Sequence, residues 1–223
     1  MKIRLWVWIL LAFASVVLLA GAYTKYLPLA PMEVWGFITG AVCVLFVVEQ
    51  NIWNFPVGIA NNIVFIALFL SSGLYGDMGL QVIYVALGIH GWYEWLRGGM
   101  NHSVLYVSRM QLKEGIVLAG IGCMATWGLT KYLITIHDSA PFLDALTTVL
   151  SLIAQYLLNW KRLENWYVWI IADLIYVGLY AYKHLYLTSI LYALFIIMCL
   201  SGLAAWKRSQ QQYDATIISE AVA

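Results

Sequence analysis

The chain has 223 residues, 63% of them hydrophobic and only 10% charged, with a formal net charge of +1. A soluble domain carries about 25% charged residues, so this composition excludes a soluble globular surface and reads as an integral membrane protein of all-α class. The near-neutral balance offers no basic surface for nucleic acid, and the three cysteines, Cys43, Cys123 and Cys199, sit in apolar stretches as reduced small hydrophobes rather than as a disulfide or metal set.

A spanning helix needs about 20 mostly apolar residues. Eight stretches qualify: 5–22, 34–50, 56–72, 79–97, 111–130, 142–160, 166–182 and 187–206. The first follows Lys2 and Arg4, but no clear small-x-small cleavage pattern closes it, so it reads as a retained helix. Pro28 and Pro31 separate the first two stretches, and Asn54 and Pro56 the next pair, with proline suited to a first helical turn. Gly73, Gly76, Asp77 and Gly79 form the following break. The longest polar interval runs from Arg97 to Lys113, and residues 207–223 read as a short soluble tail. With a cytoplasmic N-terminus, the cytoplasmic segments hold Lys2, Arg4, Arg97, Arg109, Lys113, Lys161, Arg162, Lys207 and Arg208, against Lys25, Lys131 and Lys183 outside. This bias places both termini in the cytoplasm and requires an even number of spans.

Sliding the chain by 111 residues aligns two copies of one module without a gap. Asn54 falls on Asn165, Asn62 on Asp173, Phe65 on Tyr176, Leu68 on Leu179, Leu74-Tyr75 on Leu185-Tyr186, Leu80 on Leu191, Gly91 on Gly202, Trp95 on Trp206 and Arg97 on Arg208. Duplicated apolar halves with polar residues at matching depth mark a secondary transporter. Four crossings separate equivalent positions, so the copies point the same way. The predicted organisation is an N-terminal helix and linker (1–33), a first three-helix repeat (34–97), a loop and inverter helix (98–141), a second three-helix repeat (142–206) and a cytoplasmic tail (207–223).

Polar side chains at membrane depth normally face the protein interior or a cavity. One cluster is Glu49-Gln50-Asn51-Ile52-Trp53-Asn54 followed by Asn61-Asn62; the other is Glu164-Asn165-Trp166-Tyr167-Val168-Trp169 followed by Asp173 and Tyr176, with Gln155 and Asn159 one turn apart just before it. Amides both donate and accept, and Trp and Tyr faces stack on heteroaromatic rings or hold a cation. Other assignments are structural. Trp6, Trp8, Trp35 and Trp206 read as membrane-interface anchors. Glu49 and Glu164 are as well placed to pair with Lys161 or Arg162 as to meet substrate. His90 reads as a packing residue, and the four histidines lack metal-ligand spacing. No catalytic motif and no nucleotide-binding loop are present, so no cofactor, metal or ATP-driven step is expected.

Several motifs resemble the PnuC family of vitamin transporters: Asn51-Ile52-Trp53, Pro56-x-Gly58, Leu74-Tyr75-x-Asp77-x-x-Leu80-Gln81, Gly91-Trp92-Tyr93-x-Trp95, Glu164-Asn165-Trp166-x-x-Trp169 with Asp173, and Lys183-x-x-Tyr186-Leu187-Thr188 with Tyr192. The resemblance covers residues 34–208; it departs at Gln50, where the family often has Glu, and the first helix lies outside it. It implies a bacterial inner-membrane protein with a SWEET-like 3+1+3 parallel-repeat bundle plus one N-terminal helix, assembled as a homotrimer in the lipid bilayer. It also implies uptake of nicotinamide riboside by facilitated diffusion, with trapping by a cytosolic riboside kinase. Relatives of this type are associated with thiamine, riboflavin or deoxynucleosides, which remain alternative substrates; a membrane-embedded enzyme is the more distant one. The expected lining, a pocket between the two halves, is Asn51, Trp53, Asn61, Asn62, Gln81 and Tyr84 from the first copy, with Gln155, Trp166, Trp169, Asp173, Tyr176 and Tyr192 from the second.

Overall fold

The structure, a computed structural model, describes residues 5–27, 31–71, 75–182, 184 and 186–222. Of the features above, Lys2, Arg4, Pro28, Gly73, Leu74, Lys183 and Leu185 lie outside the described residues, as do the side chains of Trp6, Tyr75 and Asp77.

Each predicted stretch forms a helix: α1 (Leu5–Tyr23), α2 (Pro31–Val48), α3 (Asn54–Ser71), α4 (Tyr75–Arg97), α5 (Leu112–Thr135), α6 (Pro141–Asn159), α7 (Asn165–Tyr182) and α8 (Tyr186–Val222). One boundary differs substantially. Residues 207–222 continue α8 as an unbroken helix of 37 residues. Charge ends the apolar run at Lys207, but the segment Lys-Arg-Ser-Gln-Gln-Gln-Tyr-Asp-Ala-Thr holds no Gly or Pro and is rich in helix formers, so the backbone has no reason to stop. Among the described residues, four segments are long and apolar enough to cross a membrane: Asn54–Ser71, Leu112–Thr135, Pro141–Asn159 and Tyr186–Thr216; Val7–Tyr23 and Val34–Val48 are shorter apolar helices. Outward-facing Phe13, Val16, Val17, Val117, Ile121, Met124, Ile190, Leu194 and Ile197 are half or more exposed, a surface stable only against lipid. The chain is a multi-pass membrane protein.

Two compact units divide at Ile89 and His90, inside α4. In the first, α1 packs on α2 and α2 on α3; in the second, α5 packs on α6, α6 on α7 and α7 on α8. The 111-residue offset is visible in the backbone of each. Helix α2 ends with Gln50 left-handed (φ 54°), its N–H bonded to Val47 O and that of Asn51 to Phe46 O; α6 ends with Lys161 left-handed (φ 48°), its N–H bonded to Leu158 O and that of Arg162 to Leu157 O. This pairing of bonds around a left-handed residue satisfies the last carbonyls of a helix. The next helix then starts in the same way. The Asn54 side-chain amide donates to Asn51 O at 2.8 Å, and that of Asn165 donates to Arg162 O at 2.6 Å. Helices α1 and α5 end in the same motif at Lys25 and His137 (φ 59° and 58°). These two ends stand 112 residues apart (137 − 25), so they share turn chemistry without sharing the 111-residue register.

The second unit has a tryptophan core. Trp95, Trp166 and Trp206 are each at most 2% exposed, and Trp206 meets the other two edge-on at 5.9 and 5.4 Å. Trp206 is thus a core residue and not the interface anchor that its place at an apolar boundary predicts; facing Trp166 across α7 and α8 takes it out of the membrane interface. Gly202 makes this possible, because a Cβ there would overlap the Trp166 ring. The loop before α5 is stitched to the α6–α7 turn. Ser108 bridges to Arg162 in parallel strand fashion, Arg162 contacts Glu114 at 3.2 Å, and the Met110 N–H donates to Glu164 at 2.8 Å. Glu164 therefore holds a loop backbone rather than Arg162. His90, read as a packing residue, packs edge-on to Trp160 with its side chain 43% exposed and 3.6 Å from Glu94.

Two predictions follow from this core. Gly202→Val should destabilise the protein by about 1–3 kcal/mol through overpacking, read as a lower melting temperature in detergent; an unchanged value would remove the close helix contact. Lys161 is buried in the α6–α7 turn with its ammonium 4.4 Å from the Trp95 ring centroid, and burial lowers its pKa from 10.5 to about 8. Between those values the unfolded chain binds more protons than the folded one, so stability from this group rises with pH from about 8 to 10.5, and a penalty persists below pH 8. Lys161→Gln, which installs the residue found at the equivalent Gln50, should flatten that slope, and parallel pH profiles for wild type and variant would refute the assignment.

Candidate functional site

The residues that the structure brings together lie on α6, α7 and α8 of the second unit. Trp169, Asp173 and Tyr176 recur at i, i+4 and i+7 on α7 and share one face. Tyr180, at i+11, extends it. Across from this face stands Tyr192 on α8. The three tyrosine rings form a stack: Tyr176 and Tyr192 lie 4.7 Å apart at 27°, Tyr180 and Tyr192 5.3 Å at 12°, and Tyr176 and Tyr180 6.0 Å at 22°. One turn before Tyr176, Asp173 is only 6% exposed, and the Cys199 thiol donates to its Oδ2 at 3.8 Å. From α6, Thr147 and Ser151 lie beside the Tyr176 hydroxyl, and the Thr147 hydroxyl donates to Leu143 O on its own helix at 2.9 Å.

The electrostatics of this face are one-sided. Helices α6 and α7, and α8 as far as Trp206, contain no Lys, Arg or His. A thiol is a weak donor, so Asp173 has no cationic side chain on its own or the flanking helices. A buried carboxylate in a low-dielectric setting is costly unless a positive charge compensates it. Tyrosine faces attract cations, and hydroxyls on Thr147, Ser151 and Tyr176 can exchange hydrogen bonds with a polyhydroxy group. The arrangement suits a flat cationic ring joined to a sugar.

The other expected site residues are placed as follows. Gln155 donates to Asn159 at 2.9 Å on α6. Trp169 is half-buried, whereas Trp166 is in the tryptophan core at 1% exposure. In the first unit, Asn51 and Trp53 occupy the α2–α3 turn, where the Asn51 side chain accepts from the Trp53 N–H at 3.1 Å and the Trp53 ring is 61% exposed. Asn61 and Asn62 are half-buried on α3, with the Thr39 hydroxyl 3.0 Å from Asn61 Oδ1, and Gln81 and Tyr84 are half-buried on α4. Sequence reasoning missed Thr147, Ser151, Tyr180 and Cys199. The helical period carries Tyr180 onto the Asp173 face, a signal present in the sequence; the other three come from neighbouring helices, whose rotation no single-helix period reveals.

Comparison with known proteins agrees with this architecture. Residues 30–208 match the profile of the nicotinamide mononucleotide transporter family. The chain belongs to that family. It is 27% identical over 226 residues to the nicotinamide riboside transporter PnuC of Escherichia coli (strain K12), covering 90% of this chain and 93% of the relative. It is 25% identical over 176 residues to the riboflavin/roseoflavin transporter RibM of Streptomyces davaonensis, covering 77% of this chain and 82% of that one. A crystal structure of the vitamin B3 transporter PnuC superposes with a TM-score of 0.64 at 21% identity, covering 91% of this chain and 92% of that one, so the two share a fold.

The contact between α6 and α7 is testable on its own. Thr147→Val and Tyr176→Phe each remove one of two neighbouring hydroxyls, and the pair should show a coupling of about 0.5–1.5 kcal/mol in a double-mutant stability cycle. Strict additivity would separate the two hydroxyls.

Proposed function

We propose that this chain carries nicotinamide riboside across a bacterial inner membrane by facilitated diffusion. One observation carries the choice of substrate: Asp173 is buried beside stacked tyrosines, among α6, α7 and the apolar part of α8, which hold no positive side chain. The riboside supplies the missing charge on its pyridinium ring, and its ribose hydroxyls match Thr147 and Ser151. A mononucleotide would bring a phosphate with no Lys or Arg on α6, α7 or the apolar part of α8 to receive it. The neutral ring system of riboflavin, the substrate in the name of the Streptomyces davaonensis relative, would leave the carboxylate uncompensated. Relatives named as transporters, together with the lack of a catalytic motif, favour a carrier over a membrane-embedded enzyme.

The finer reading of the molecule belongs to the same proposal. Eight spans in a one-plus-3+1+3 arrangement accord with the eight helices and with the repeated turn chemistry. Nine Lys and Arg residues against three support cytoplasmic termini. Family resemblance supports a homotrimer and trapping by a cytosolic riboside kinase. We propose substrate contacts for the second-copy residues Gln155, Trp169, Asp173, Tyr176 and Tyr192, with Trp166 supporting α7 from the tryptophan core. First-copy Asn51, Trp53, Asn61, Asn62, Gln81 and Tyr84 contribute by their equivalent positions.

In proteoliposomes containing this protein alone, labelled nicotinamide riboside should equilibrate without accumulating. Concentrative uptake driven by an imposed proton or sodium gradient would overturn the passive mechanism. Trp169→Ala and Asn62→Ala should each weaken binding about twofold to thirtyfold while leaving assembly intact, and well-folded variants with unchanged affinity would reject the lining.

A further inference from the structure

The two copies share a scaffold and differ in its chemistry. In the first copy Phe65 and Phe69 stack at 5.7 Å and 29°; in the second, the residues 111 positions on, Tyr176 and Tyr180, stack at 6.0 Å and 22°. A Cβ at Gly36 would lie 3.0 Å from the Phe65 ring; at the equivalent position Thr147 lies beside the Tyr176 hydroxyl. Gly40 corresponds to Ser151, Asn62 to Asp173 and Gly88 to Cys199. At each of these six positions the second copy carries a hydroxyl, thiol or carboxylate where the first carries a bare backbone, a phenyl ring or a neutral amide. Shared packing accounts for the stacked pair in both copies. Of the added polar groups, Thr147 bonds its own helix and Cys199 offers Asp173 a thiol, a weak donor, so the Asp173 carboxylate is the group whose burial in a membrane interior is least compensated.

We infer that the second copy alone senses ligand charge: Asp173, framed by the tyrosine stack of α7 and α8, is the specificity-determining residue that selects a cationic ring over a neutral ring of the same shape. The inference rests on the riboside reading above and goes beyond it in assigning the discrimination to one residue and one copy. Asp173 acts at short range because no cation on α6, α7 or the apolar part of α8 screens it. The tyrosine faces act in the same direction, since each attracts a cation and is indifferent to the charge of a neutral ring stacked on it. Asn62, at the equivalent depth in the first copy, carries no charge and makes no such distinction.

The probe pair is nicotinamide riboside and its 1,4-dihydro form, which keeps the carboxamide and ribose and lacks the ring charge. Binding of both is measured by calorimetry on the purified full-length protein. Wild type should prefer the oxidised form by about tenfold or more, and Asp173→Asn should bring the two affinities to within about threefold. Because each variant is judged by its own ratio, a general loss of affinity does not mimic the result. Should Asp173→Asn fail to assemble, Tyr180→Leu serves instead and should cut the preference by about twofold to tenfold. An undiminished preference in whichever variant assembles overturns the inference, as does a wild type that binds both forms equally. A wild type that binds neither form overturns the riboside reading itself, and this inference with it.

Discussion

In hydrocarbon no water is available to an N–H or a C=O, so every backbone polar group must find its partner within the protein. Helices meet that demand along their length but leave unpaired groups at both ends. Among the described residues, left-handed residues follow the ends of α1, α2, α5, α6 and α7, at Lys25, Gln50, His137, Lys161 and His184. None is glycine, the residue that adopts this conformation without steric cost. At Gln50 and Lys161 the turn is followed at once by an asparagine, Asn54 or Asn165, whose side-chain amide ties the next helix start to the turn. A polar cluster that looks like ligand chemistry in the sequence is thus partly the hardware that lets two apolar helices meet.

The second unit builds on that turn. Lys161 rests its charge over Trp95, and the Trp95 indole N–H donates to Leu158 O at 3.0 Å. Trp206 wedges between Trp95 and Trp166. Ser108, Met110 and Glu114 hold Arg162 and Glu164 from the other side. The near ends of α6, α7 and α8 are pinned by this tryptophan and loop assembly, which fixes the rotation of each helix. Further along the same helices, that rotation sets Thr147, Ser151, Asp173, Tyr176, Tyr180, Tyr192 and Cys199 on mutually facing surfaces. Site chemistry and core packing are two levels of one arrangement.

Duplication explains why a carrier can hold a carboxylate in so apolar a setting. The same stacked aromatic pair and the same turn recur 111 residues apart. With fold stability resting on features common to both copies, one copy can take on polar side chains at positions where the other keeps glycine, phenylalanine or an amide. In the proposed function the cost of Asp173 is met by ligand charge rather than by a resident cation, an arrangement suited to a transporter, whose site must release what it binds.

The sequence by itself determined the membrane class, the eight helical stretches, the 111-residue register and the single face shared by Trp169, Asp173 and Tyr176. These are properties of one helix at a time, or of one helix compared with its copy, and hydrophobic length and the 3.6-residue period govern them. The same local reasoning failed where contacts between helices decide. Trp206 has the composition and position of an interface anchor, yet Gly202 lets it turn inward onto Trp166. Residues 207–222 are polar enough to end a membrane span but contain nothing that ends a helix. Thr147, Ser151 and Cys199 look like ordinary small residues in apolar runs. Only the tertiary structure, by fixing how α6 and α8 are rotated about their axes, aims them at the Tyr176 hydroxyl and the Asp173 carboxylate.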